Sequence, residues 1–162
     1  MITKQDILEE FNEEVPATRK MLERVPFDKL DFKPSPKSMP LGQMAVMISL
    51  MPTWFVGMIG ETGVEMGTFT PPPKPQNVEE MVQNFDNGVK QFQKAISEVD
   101  EASLDKTWSL KMGGKTIMEM PRRVILRQTI NHLVHHRAQL GVYLKMNGIP
   151  HPSVYGPSGD EQ

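Results

Sequence analysis

The sequence contains no cysteine. That excludes a disulfide framework, thiolate zinc sites and a cysteine nucleophile, and it suits a reducing cytoplasm. A dominant charge is missing too: 18 basic and 20 acidic residues leave a formal charge of −2. This balance offers no footprint for nucleic acid or an anionic membrane. No histidine occurs before residue 132, so any chemistry that needs imidazole has to be built from the C-terminal stretch. The amino terminus, Met1-Ile-Thr-Lys-Gln-Asp, lacks the apolar run of a secretion signal. From Ser38 to Gly60 there is no charged residue, which is long enough to span a bilayer. That run nevertheless holds Pro40, Gly42, Gln43, Ser49, Pro52, Thr53, Gly57 and Gly60, and the other helical patterns are amphipathic faces that need an apolar partner. The expectation is therefore a buried bundle helix with no membrane partner.

What is present centres on Gln128 to Tyr143, where three of the four histidines, His132, His135 and His136, fall within five residues. At roughly 100° per residue, Ile125, Leu126, Leu133, Leu140, Tyr143 and Leu144 share one arc, and Arg123, Arg127, Arg137 and Lys145 are expected roughly opposite. His136 falls in the middle of the apolar arc, His132 at its edge, and His135 to the side beside Val124, Gln128 and Val142. An i, i+4 histidine pair aimed into a core can bring two imidazole nitrogens onto one ion. The alternative is two histidines at the core edge, each satisfied by a carbonyl or a polar side chain.

At 162 residues the chain is about one domain long, and residues 1–162 are expected to form a single unit. Thr3 and Asp6 resemble a capping box, followed by Ile7, Phe11, Val15, Thr18, Leu22 and Val25 at helical spacing. A first helix is expected over about 3–25, kinked at Pro16, with Glu9, Glu10, Glu13 and Glu14 as a solvated face unless Glu14 turns inward. Residues 27–40 read as an ordered strap. A second helix over about 41–59 carries Met44, Met47, Ile48, Met51, Phe55 and Met58 on one face. These thioethers are core filler, or a soft site for a copper(I)-like ion if Met44, Met47 and Met51 converge. Residues 60–76, with Pro71-Pro-Pro-Lys-Pro75, are expected to be irregular. A third helix over about 78–99 is capped by Asn77. Gly113-Gly114 between short alternating runs indicates a hairpin, and Pro121 opens a fourth helix over about 121–147 that stops at Gly148. The fold class that follows is all-α, a four-helix bundle with a short β-hairpin before the last helix.

Three blocks resemble the DinB/YfiT-like four-helix-bundle proteins: Leu30-Asp-Phe-Lys-Pro-Ser-Pro-Lys-Ser-Met-Pro-Leu-Gly42, Gly113-Gly114 before Pro121-Arg122, and Asn131-His-Leu-Val-His-His-Arg-Ala-Gln-Leu-Gly-Val-Tyr143. The endings Gly148-Ile-Pro and Tyr155-Gly-Pro-Ser158 are similar too. The resemblance implies a divalent metal, zinc or nickel, held by one histidine from the second helix and an i, i+4 pair from the last, in a metal-dependent hydrolase or a thiol-dependent transferase or isomerase. It further implies a small-molecule substrate, a low-molecular-weight thiol, and a homodimer. Carried over, the pair is His132 and His136, while the second-helix histidine falls on Met47. A borderline dication there loses a nitrogen and gains at best a weak thioether. Such a site would hold metal weakly or not at all, unless His135 turned in, a carboxylate or water completed the shell, or Met47 selected a softer ion. The alternative is a non-catalytic bundle that binds a small apolar ligand or a protein partner.

Overall fold

The computed structural model describes residues 2–68 and 73–161; Pro71 and Pro72 of the proline run lie outside the described residues. Helix α1 (Lys4–Leu22) opens on the capping box: the Thr3 side chain accepts from the Asp6 amide and the Asp6 carboxylate from the Thr3 amide. Pro16 lies inside α1. After a single 3₁₀ turn at Phe27–Lys29, α2 (Leu41–Gly60) leads into strand β1 (Gly63–Met66). Helix α3 (Val78–Glu98) begins at Asn77, whose side chain accepts from the Glu80 amide. A 3₁₀ segment (Glu101–Asp105) precedes β2 (Thr107–Met112), β3 (Lys115–Pro121) and α4 (Arg122–Met146). The molecule is thus mostly helical with a small sheet, and Pro121 ends a strand and caps α4 rather than entering it.

The hairpin turns at Gly113 and Gly114, with φ of 57° and 76°, the left-handed pair that a two-residue turn between twisted strands needs and that glycine adopts without steric cost. Val64 pairs with Leu110 in parallel and Trp108 with Met120 in antiparallel register. Strand β1 corrects the expectation that residues 60–76 are irregular. Its pairing partner lies more than forty residues away, at Ser109–Met112, so no local signal announces it.

Helix α2 packs on α3 and α4, and α1 packs on the same two helices, which sets α1 and α2 diagonally across the bundle. Phe11, Phe55 and Phe92 bridge that diagonal, their ring centroids 4.7 to 5.2 Å apart in edge-on and tilted pairs of the kind aromatic quadrupoles favour. By length and composition α2 could cross a membrane, yet here its Ile48, Met51 and Phe55 are fully buried in the bundle core. A side chain at Gly88 of α3 would meet the Pro52 Cβ at 3.0 Å, so glycine lets the two helices approach.

The roll of α4 departs from the helical-wheel expectation. Its buried residues include Arg122, Arg123 and Arg137 together with Leu126, Ile130, Leu133, Leu140 and Leu144. Arg137, expected on the solvent side, is 2 % exposed. Its Nη1 lies 2.6 Å from Oε2 of Glu14 and donates to the Thr18 hydroxyl at 3.2 Å. Its Nη2 donates to the Tyr155 hydroxyl at 2.8 Å, and that hydroxyl donates to the Glu14 carboxylate at 2.9 Å. Glu14 does turn inward, but onto α4's arginine. Arg123 is paired as well, with Asp105 at 2.6 Å and Glu101 at 3.2 Å. Buried charge of this kind persists only when its partners are in place.

Two outcomes follow from this packing. Phe92→Ala should cost about 3 to 5 kcal/mol of unfolding free energy in urea titrations, the range for removing a fully buried aromatic. Arg137→Ala should cost about as much, because it strands the Glu14 carboxylate, and the paired Glu14→Gln/Arg137→Met variant should recover much of the loss. A double variant no more stable than Arg137→Ala would contradict the ion-pair reading.

Candidate functional site

The buried arc of α4 centres on Leu133, Arg137, Leu140 and Leu144, so the histidines come out at its edge. His136 was expected in the middle of the apolar arc and is instead half-buried, while His132 and His135 are exposed. The difference follows from Arg137: with its guanidinium turned into the bundle, the helix is rolled and the histidine edge moves toward solvent on the α2 side.

His132 and His136 do come together. Their Nε2 atoms are 2.8 Å apart, the separation of two ring nitrogens sharing one proton. His136 Nδ1 lies 3.0 Å from Gln139 Oε1, and an amide oxygen only accepts, so His136 carries its proton on Nδ1 and presents a lone pair at Nε2. His132 must then be the donor, Nε2–H to Nε2. His135 stands edge-on to His136 at 4.9 Å between ring centroids and does not join this contact. On the facing helix the Trp54 ring lies 6.1 Å from that of His132. Met47 is half-buried against the core, while Met44 and Met51 are almost fully enclosed, so the three thioethers of α2 do not meet in one open site.

Burial, and then the neighbouring His136 and His135, push the His132 pKa below its ordinary value. Burial does the same to His136, opposed by its bond to Gln139. Both rings are therefore neutral at pH 7, the state in which imidazole is a ligand or a base. Gln139 is the functional neighbour that the sequence reading passed over. Its i+3 position from His136 was the available signal, since a side-chain hydrogen bond to the far nitrogen is what orients a ligating imidazole.

Two such nitrogens fit a metal; a three-histidine dication site is not completed by this chain. Among the described residues no group of three His, Cys, Asp or Glu side chains could hold an ion. A surface cavity of about 280 Å³ lies elsewhere, between α2 and α3, where Leu50, Thr53, Asn84 and Gly88 line it. The histidine pair opens to solvent instead.

This arrangement can be set beside known proteins. The family model of the DinB family matches residues 1–162. The chain belongs to the DinB family. Among solved structures, a DinB-like protein from Bacillus cereus ATCC 10987 is similar at 23 % identity with a TM-score of 0.71, covering 95 % of this chain and 99 % of its own. The DinB-like protein YjoA of Bacillus subtilis follows at 18 % identity and a TM-score of 0.68, covering 96 % and 99 %. At these identities the DinB structures speak for the fold alone. No curated protein matches.

The site makes a pH prediction. With both folded-state imidazoles titrating below about 6.5, the unfolded chain binds more protons just under that pH. Stability should then fall as pH drops from 7 toward 5 and stay level above 7. Nuclear magnetic resonance titration should place both midpoints below that of a free histidine peptide. Midpoints above it would contradict the partly covered, mutually bonded pair.

Proposed function

We propose that this DinB protein works through its His132/His136 pair as a metal-binding site, on the scaffold of metal-dependent hydrolases and thiol-dependent transferases, with zinc or nickel held only weakly. The observation that carries the reading is the 2.8 Å approach of the two Nε2 atoms, which brings two imidazole nitrogens into reach of one ion once the His132 proton moves from Nε2 to Nδ1. Met47 on the facing helix is a thioether where a third imidazole would be needed to hold a borderline dication tightly.

When bound, a dication lowers the pKa of a coordinated water or thiol toward neutrality. The chain's own contributions are distinct from that chemistry. Gln139 fixes the His136 tautomer, Trp54 offers an aromatic wall beside His132, and the exposure of His132 leaves a path for a small-molecule substrate or a low-molecular-weight thiol. A reducing cytoplasm rich in such thiols is the setting that suits this reading. For the homodimer, the candidate surface is the outer face of α4, where Val142 and Met146 are exposed on the same side as His135. A second reading, a non-catalytic bundle with a protein partner, draws on the exposed Val64, Met66 and Met112 at the tip of the sheet.

Metal content after chelator-free purification tests the proposal. Wild type should retain well under one equivalent of zinc or nickel, and Met47→His should fill to about one equivalent with the affinity of a three-nitrogen site. A wild type that keeps a full equivalent would contradict the weak-site reading, and an empty Met47→His would contradict the placement of the site.

A further inference from the structure

Along α3, Glu80, Asn84, Asn87 and Gln91 follow one another at i, i+4, i+7 and i+11, so all four stand on one stripe of the helix, within roughly 60° at 100° per residue. The apolar stripe of Phe85, Phe92 and Ile96 lies well away from it and is buried. Three of the four are carboxamides. An amphipathic helix usually meets water with charge, and α3 does so on another side, through Glu79, Asp86 and Lys90. The amide stripe meets a hollow instead: it forms one bank of the cavity of about 280 Å³ against α2.

The hollow has a cause in the sequence. Helices α2 and α3 approach through Pro52 and Gly88: a Cβ at Gly88 would lie 3.0 Å from the Pro52 Cβ and 3.2 Å from the Thr53 Cγ2. Neither residue has a side chain long enough to fill the groove beside this contact, so it stays open between Leu50 and Thr53 on α2 and the amides on α3. Two of its polar groups are held in place. The Glu80 carboxylate accepts from the Gln76 amide at 2.7 Å, and the Thr53 hydroxyl donates to the Leu50 carbonyl at 2.7 Å, which leaves its oxygen as an acceptor. Among the described residues the side-chain amides of Asn84, Asn87 and Gln91 make no hydrogen bond to the protein, whereas nearby Gln93 donates its own to Asn12 at 2.9 Å.

We infer that this cavity binds a neutral polyhydroxyl compound of monosaccharide size. Volume sets the size, because about 280 Å³ lies at the small end of ligand sites. Charge excludes the anions: among the described residues no lysine, arginine or histidine lines the cavity and Glu80 does, so a phosphate or carboxylate would meet a like charge with nothing to offset it. No aromatic side chain lines it either among those residues, which removes the platform on which a nucleobase would stack. What remains is a ligand whose groups both donate and accept. A carboxamide offers two N–H donors and a carbonyl acceptor, and a sugar hydroxyl offers one donor and two lone pairs, so neighbouring hydroxyls can close two bonds onto one amide. Leu50 and the Thr53 methyl give the C–H face of such a ring its apolar contact. The cavity shares no residue with the His132/His136 pair, and the inference does not depend on the metal reading.

The test is a titration of the intact protein with glucose, galactose, mannose and myo-inositol, followed by ¹H–¹⁵N nuclear magnetic resonance at the side-chain amides of Asn84, Asn87 and Gln91. At least one of these compounds should move those resonances saturably, with a dissociation constant on the order of millimolar, the affinity of a small polar ligand in an open site. The phosphate ester of the compound that binds should bind at least about tenfold more weakly, because its charge finds no partner there. Asn87→Leu and Gln91→Leu replace exposed side chains and so leave the core intact. Each should weaken binding by about tenfold, the cost of leaving a ligand hydroxyl unpaired. The ring resonances of His132 and His136 should stay where they are. No saturable shift at the three amides with any of these compounds overturns the proposal. So does equal binding of the phosphate ester, affinity unchanged in both variants, or a response centred on the histidines.

Discussion

A guanidinium inside a helix bundle has to be met by a carboxylate, and in this protein that requirement governs the last helix. Arg137 is 2 % exposed and lies against Glu14 of α1, with the Thr18 and Tyr155 hydroxyls completing its hydrogen bonds. Breaking such a pair leaves a bare charge in low dielectric, which costs far more than the pair itself contributes. The roll of α4 about its axis is therefore set by a polar contact as much as by its leucines. Tyr155 extends the same contact to the C-terminal segment: its ring is largely exposed while its hydroxyl reaches inward to Glu14 and Arg137. Burial of that hydroxyl and its bond to Glu14 push the phenol's pKa up. Arg24 fastens the segment further along, through the Pro150 carbonyl and the Glu161 carboxylate.

With the roll fixed, the position of the histidines is a consequence. They stand on the edge of α4 that faces α2, open to solvent on one side and to Trp54 on the other. Enough of each ring is covered to keep it neutral, and enough is free to accept a ligand. The Phe11, Phe55 and Phe92 cluster holds α2 and α3 against α1 from within the core, so the wall that faces the histidines belongs to the rigid part of the bundle. A site on rigid elements keeps its donor geometry better than one on loops. The chemistry it can perform is then limited by donor type, and the donors brought together here are two imidazole nitrogens.

Much of this was legible in advance where the signal was local. The Thr3/Asp6 box, the Asn77 cap and the Gly113-Gly114 turn each act within three residues of themselves, and each stands where its pattern placed it. The meeting of His132 with His136 was likewise local, an i, i+4 relation on one helix. What could not be read was everything decided by a distant partner. Strand β1 exists because Ser109–Met112 offers it an edge. Arg137 was assigned to solvent because a helical wheel scores it by charge and has no knowledge of Glu14, 123 residues earlier. The inward place expected for His136 followed from that same error, since a wheel centred on leucines alone is rolled toward the histidines.

The protonation of the histidine pair carries the account, and one long-range ¹H–¹⁵N spectrum of the metal-free protein near pH 7 measures it. The contacts His132–His136 and His136–Gln139 predict His136 as the Nδ1–H tautomer with an accepting Nε2, and His132 as Nε2–H, both neutral. A spectrum showing His136 protonated at Nε2, or either ring carrying a positive charge, would contradict it and remove the lone pair on which metal binding by this edge of α4 depends.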